Sequence, residues 1–187
     1  MTKRDELIKT AFELFYLNGV HSVGINQILA ETGIAKKTLY THFASKEVLL
    51  EAVIGYRDER FRTWIFGLMD QQSQAEAMVK AMFDGLDDWF NDRVATLMPF
   101  QGCFFVKVNA EFLNHRVNEL CFKHKQAIVD YLAARLSEHY PEPQANQLAN
   151  QLALLKEGAI AQAYLGKDRQ AAKLAWNMAK PLMKPAD

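Results

Sequence analysis

Apolar residues recur at intervals of three and four along almost the whole chain, the spacing that lines one face of an α-helix. Leu7, Ile8, Ala11, Phe12, Leu14 and Phe15 form the first such stripe. Thr2 followed by Asp5 predicts a capping box at its start, with Asp in place of the usual Glu, and Asn18-Gly19 predicts its stop. A second helix is expected over about Ile25 to Thr32, a turn at Gly33, and a short third helix over about Lys36 to Phe43. Ser45 stands where it would cap a long fourth. Breaks at Gln71 to Gln74, Pro99 to Gly102, near Asn114, at Pro141-Glu142-Pro143 and at Gly166 divide the remainder into five more helices. No stretch shows a convincing strand period, so the expected fold is all-α. The last two long helices, about Pro143 to Gly166 and onward from about Asp168, have apolar coverage too broad for one packing face, which predicts a second copy of the chain against them.

The segment INQILAETGIAKKTLYTHF, residues 25 to 43, has the helix, short glycine turn and helix of a helix-turn-helix. Ile25, Ile28, Leu29, Ile34, Leu39 and Phe43 suffice to close a three-helix core with Leu7, Ala11, Phe12 and Phe15. Lys36, Lys37, Thr38, Tyr40, Thr41 and His42 are then left on or near the outer surface. An α-helix fits the major groove of B-DNA, where Lys donates to guanine O6 and N7 and Thr meets a polar base edge or a thymine methyl. Lys36, Lys37 and Thr41 are therefore the expected readers of sequence. Tyr40, His42 and Lys46 carry donors suited to phosphate oxygens, which set register without reading bases.

Charge sharpens this picture. Lys and Arg together number 22 and Asp and Glu 22, so the whole chain has no net charge with which to hold polyanions. Between residues 36 and 46 there are three Lys and no acid, a local surplus on the helix expected to project. The chain has two cysteines, too few for a disulfide framework, and no CxxC pair. The N-terminal apolar stretch is interrupted by Lys9 and Glu13, unlike a signal peptide, and no run of about 18 apolar residues follows. A cytoplasmic protein without a membrane partner is expected.

AFELFYLNGVHSVGINQILAETGIAKKTLYTHFASKEVLL resembles the N-terminal segment of the TetR-type transcriptional regulators, above all in Gly33, in Thr38-Leu39-Tyr40 and Phe43, and in Ser45-Lys46-Glu47. The resemblance spans residues 4 to 50. It implies an all-helical protein of two domains that works as a homodimer on a pseudo-palindromic double-stranded operator, with a small-molecule effector in the C-terminal domain lowering operator affinity. The expected division is 1–46 for the helix-turn-helix domain and 47–187 for the ligand-binding and dimerisation bundle. Leu29 stands where such motifs often have a small Ala, and Gly24 where many members have a Ser or Thr cap.

The second part is rich in aromatic and sulfur side chains. Trp64, Met82, Trp89, Phe104, Phe105 and Phe112 are candidate walls for an apolar or aromatic effector, with Asn109, Gln162 and Tyr164 as polar groups. Each competes with an ordinary place in the core. Cys103 follows Gly102 at an expected helix start with Lys107 one turn later, an arrangement that favours thiolate and suggests a redox or electrophile sensor. Cys121 with His124, and His115 with Glu119, have helical spacing for paired metal ligands but no further ligand in view, so no metal or other cofactor is expected. Asp84, Asp87, Asp88 and Asp92 share a helix face read as solvated. No phosphate loop, nucleophile elbow or catalytic carboxylate pair stands out, and the chain is not expected to be an enzyme. Two readings compete with a ligand-released repressor: a DNA-binding protein whose C-terminal part binds another protein, and an enzyme retaining a relic helix-turn-helix.

Overall fold

The computed structural model describes residues 2–112 and 115–183, without the side chain of His115. Helices are the regular elements throughout these residues: α1 Lys3–Asn18, α2 Ile25–Thr32, α3 Lys36–His42, α4 Lys46–Asp70, α5 Ala75–Phe90, α6 Phe104–Glu111, α7 His115–Leu136, α8 Glu142–Leu165 and α9 Ala171–Ala179, with a closing 3-10 turn at Lys180–Met183. None is long and apolar enough to cross a membrane. The all-α expectation stands, with α2 at its predicted bounds and α3 one residue shorter. The expected break near Asn114 lies outside the described residues.

Local chemistry accounts for the element ends. Thr2 Oγ1 accepts from the Asp5 amide at 3.2 Å, and Asp5 Oδ2 accepts from the Thr2 amide at 3.0 Å, the reciprocal pair that satisfies two otherwise unbonded donors. Gly19, at φ +84°, ends α1, and its amide donates to Phe15 O at 3.0 Å. The Val48 amide donates to Ser45 Oγ at 3.3 Å, so Ser45 caps α4 as its position suggested. One interval differs from the expectation. The break placed at Pro99 to Gly102 begins directly after α5, because Asn91 folds its amide group back to Asp87 O at 2.8 Å and Asp92 turns to φ +58°. The Asp92 carboxylate then accepts from the Phe100 amide at 2.6 Å, organising the irregular stretch that follows.

The chain forms two compact units, Met1–Arg60 with Phe104–His124, and Phe61–Cys103 with Lys125–Asp187. In the first, α2 and α3 both pack on α1. Leu7, Ala11, Phe12 and Phe15 meet Ile28, Ile34, Leu39 and Phe43 there, all buried, while Ile25 and Leu29 are half-buried. Val20, Val23, Tyr16, Leu49 and Leu50 complete this core. Each large apolar side chain so placed contributes roughly 1.5–3 kcal/mol. Residues from α6 belong to the same unit: the Phe104 ring stands edge-on to Phe12 at 5.3 Å, and the Lys107 ammonium donates to Tyr16 O at 2.7 Å.

The second unit is built from the end of α4, from α5, the later part of α7, α8 and α9, with α9 lying against both α5 and α8. Phe61, Trp64, Trp89, Phe90 and Phe100 form an aromatic cluster inside it, with ring centroids 4.7–6.2 Å apart for the contacting pairs. Phe66 stacks on Tyr131 at 3.9 Å, and the Tyr131 hydroxyl donates to Asp70 Oδ1. Burial and the Asp70 carboxylate push the Tyr131 hydroxyl up to about 12. The acids expected to share one helix face are split, because Asp84, Asp87 and Asp88 lie on α5 and Asp92 lies beyond its end, and all have cations: Asp84 pairs with Lys80 at 2.6 Å, Asp88 with Arg93 at 2.8 Å, Asp87 with Arg93 and Lys173, and Asp92 with Arg169.

Two glycines of the first unit separate backbone from packing. Gly33 ends α2 in the left-handed region at φ +65°, and a Cβ there would meet nothing within 4 Å. Gly24 caps α2 in an extended conformation, also in open space, and supplies no side-chain acceptor. Gly33→Ala is expected to lower stability by about 1 kcal/mol through φ alone, and Gly24→Ser to raise it by about 0.5–1 kcal/mol by adding the cap and stiffening the unfolded chain. Urea unfolding of the two variants beside the parent should show these opposite signs.

Candidate nucleic-acid interface

The turn at Gly33 directs α3 away from α2, and the inward and outward residues of α3 are sharply divided. Leu39 is fully buried and Phe43 nearly so, fixing the helix to the core below. Lys36, Lys37, Tyr40, Thr41 and His42 are exposed, and Thr38 is half-buried between the two faces. The Arg4 guanidinium lies over the Phe43 ring at 5.3 Å and covers that end of the core. Thr41 Oγ1 donates to Lys37 O at 2.9 Å, which leaves its oxygen lone pairs and its methyl group facing outward. The face thus offers two ammonium groups, a phenol, an imidazole and a methyl-bearing hydroxyl on about two turns of helix.

Lys46 has an internal task that its position in the sequence did not show. Its ammonium donates to Val20 O at 2.6 Å and lies 5.8 Å from the Phe15 ring centroid. Burial lowers its pKa, against the pull of Glu47 and Glu111. One of its three donors therefore ties the start of α4 to the turn after α1. That turn has a second tie: the His21 amide donates to Glu111 Oε2 at 2.8 Å, its ring bonds Glu111 O at 2.6 Å, and Phe112 stacks on the His21 ring at 5.0 Å. A Cβ at Gly19 would lie 3.0 Å from Glu111 Oε1, so the glycine also makes room for that carboxylate.

The candidate effector residues are divided between the two units. Phe104, Phe105, Asn109 and Phe112 belong to the first, and Trp64, Met82, Trp89, Gln162 and Tyr164 to the second. Phe104 and Phe105 are buried in the first unit, Phe105 stacked on His124 at 3.5 Å. Asn109 and Gln162 are exposed. In the second unit Trp64 is half-buried beside the closed-in Trp89, and Met82 is fully buried.

His124 is held by a carboxylate, its Nδ1 lying 2.7 Å from Asp58 Oδ1. Among the described residues no three His, Cys, Asp or Glu are placed to hold a metal ion. The pair of His115 with Glu119 lies outside them, since the His115 side chain is not described. Cys103 does precede a helix, α6, but the ammonium beside it is not the expected one. Lys107 turns to Tyr16 O, and Lys125 Nζ stands 3.1 Å from Cys103 Sγ. A sequence separation of four residues put Lys107 on the same helix face, whereas Lys125 arrives from α7.

A sequence model described as bacterial regulatory proteins of the tetR family matches residues 7–53, which contain α2, the turn and α3. The solved structure of SCO4454, a TetR-family transcriptional regulator from Streptomyces coelicolor, superposes with a TM-score of 0.84 at 26% identity, covering 96% of this chain and 93% of that one. The fold is that of the TetR family. The chain is also 26% identical over 168 residues to the HTH-type transcriptional regulator YxaF of Bacillus subtilis, covering 89% of this chain and 87% of YxaF. The HTH-type transcriptional repressor KstR2 of Mycolicibacterium smegmatis is 37% identical over 70 residues, 37% of this chain and 32% of that repressor. TetR-family proteins are DNA-binding transcriptional regulators and not enzymes. The second helix of the matched helix-turn-helix is α3.

Proposed function

We propose that this TetR-family regulator is a repressor that holds a pseudo-palindromic operator as a homodimer and releases it when a small apolar or aromatic molecule binds. The observation that carries the DNA part is the division of α3: Leu39 and Phe43 anchor it, while Lys36, Lys37, Tyr40, Thr41 and His42 face out. In this reading Lys36, Lys37 and Thr41 read base edges, and Tyr40 and His42 bond phosphates. Thr38 supports the same face, and Lys46 adds a phosphate contact through the donors not used at Val20. The DNA-reading residues then all lie within 1–46, and effector binding and pairing of copies fall to 47–187.

The homodimer is supported by α8 and α9. Leu154, Leu165, Leu174 and Met178 are 56–78% exposed on these two helices, large apolar side chains that water disfavours and a second copy would cover. Two-fold pairing would set two α3 helices roughly 34 Å apart, one turn of DNA. For the effector, the aromatic cluster around Trp64 and Trp89 supplies the apolar wall such a site requires.

The test is in two steps. Selection from a random duplex pool should yield an inverted repeat, and a panel of aromatic compounds should contain members that raise the melting temperature and weaken binding to that repeat. A selected site without two-fold symmetry would remove the dimeric reading. Compounds that stabilise the protein without weakening DNA binding would remove the release step.

A further inference from the structure

We propose that Arg4, at the start of α1 and outside the helix-turn-helix, is a phosphate-binding residue of the DNA interface, held at the end of α3 by the Phe43 ring. This assignment rests on the regulator reading above and adds a contact from a helix to which that reading gives no part in binding.

Arg4 stands in the first turn of α1, and its Cζ lies 5.3 Å from the centroid of the Phe43 ring. Phe43 directly follows the last residue of α3 and is buried, whereas Arg4 is exposed. The negative face of a ring attracts a guanidinium, so this contact fixes where the cation sits. Among the described residues the Arg4 guanidinium donates no hydrogen bond and forms no ion pair. Its neighbour in sequence, Asp5, is engaged elsewhere: Asp5 Oδ2 accepts from the Thr2 amide at 3.0 Å. The Asp5 carboxyl is held below its ordinary value first by its bonds to Thr2 and least by Arg4. The N–H donors of Arg4 therefore face water, on a planar fork that matches the oxygens of a phosphate two at a time. Shielding Phe43 does not require that fork, because the apolar stem of a Lys or Met also covers a ring.

The place of the cation decides what it meets. The His42 ring centroid is 6.2 Å from that of Phe43, so Arg4 and His42 share one buried platform, and His42 is already assigned to phosphate. Lys36 and Lys37 stand at the opposite end of α3, whose 7 residues span about 10 Å. A recognition helix sets its N-terminal residues against base edges, and its far end then approaches the sugar-phosphate wall of a major groove about 12 Å wide. A cation at that end meets phosphate oxygens and no base. It adds affinity and register by displacing counterions, without sequence preference.

The experiment uses the full-length protein with two probes, the inverted repeat recovered from the random duplex pool and an unrelated duplex of the same length. Arg4→Met keeps an apolar stem over Phe43 and removes the charge. It should weaken binding to both duplexes by the same factor, about tenfold, and lower the salt slope by about one unit per copy, at unchanged melting temperature. Arg4→Lys should restore the slope and part of the affinity. Ethylation of the phosphates before binding should reveal one position per half-site that harms the wild type and is indifferent to Arg4→Met. Should Arg4→Met fail to fold, Arg4→Gln carries the same expectations. A slope equal to that of the wild type, or an unchanged ethylation pattern, overturns the contact and leaves Arg4 as a cover for Phe43. Unequal losses on the two duplexes would make Arg4 a reader of bases and overturn the phosphate assignment. Wild type that binds neither duplex removes the regulator reading and this contact with it, whereas an unchanged slope on DNA that the wild type does bind removes the contact alone.

Discussion

Replacing Lys36 and Lys37 together by Ala is expected to weaken operator binding about a thousandfold while leaving the melting temperature unchanged. Both side chains are exposed, so nothing in the core depends on them. If each interaction with a base is worth about 1 kcal/mol and each is made twice in a two-fold complex, the deficit is about 4 kcal/mol, or three decades in affinity. Binding curves on a base-substituted operator should also show flattened preferences at the positions these lysines reach. Lys46→Ala offers the contrast. Removing one phosphate interaction per copy would reduce the salt slope by about one unit, whereas removing only the bond to Val20 O would lower the melting temperature and leave the slope intact. Equal affinity of the Lys36/Lys37 variant and the parent would move the reading face away from α3.

Leu165→Glu combined with Leu174→Glu is expected to convert the dimer to a monomer and to cost at least about a hundredfold in operator affinity. The two leucines are 78% and 57% exposed in a single copy, so charges there are tolerated by the isolated chain but would be stranded in an apolar interface. A monomer grasps one half-site at a time and forgoes the gain of linked binding, about 10²–10⁴-fold. Sedimentation would give the molecular mass and circular dichroism the helix content, which should be unchanged. Truncation before Asp168, which removes α9, should likewise leave monomer or aggregate. A double variant that still sediments as a dimer would place the interface elsewhere.

The parts of this architecture that are legible in the sequence are those set by local chemistry. Thr2 and Asp5 need only each other to announce a helix start, and Asn18-Gly19 and Gly33 mark stops because few residues other than glycine accept a positive φ without strain. The α3 face can be read because Leu39 and Phe43 are spaced to point inward, which leaves the polar residues no other side. Pairings between distant residues are hidden for the opposite reason. Nothing near Lys46 foretells a bond to Val20, and nothing near Cys103 foretells Lys125 rather than Lys107, since each depends on how helices cross. Phe104 and Phe105 pass for a ligand wall in the sequence because aromatic residues serve cores and pockets with the same spacing. In the first unit they pack on Phe12 and His124.

The paired acids on α5 and just beyond its end bear on how this regulator travels along a genome. With Asp84, Asp87, Asp88 and Asp92 already matched by Lys80, Arg93, Lys173 and Arg169, those acids exert little repulsion of their own on DNA, and the overall charge supplies no attraction. Attraction comes from the small basic face of α3, whose field fades over roughly 8 Å at physiological salt. Chance encounters should therefore be brief, with short sliding excursions and frequent departures into solution. Residence on arbitrary sequence stays low, and the contrast between operator and background rests mainly on interactions made after α3 has entered the groove.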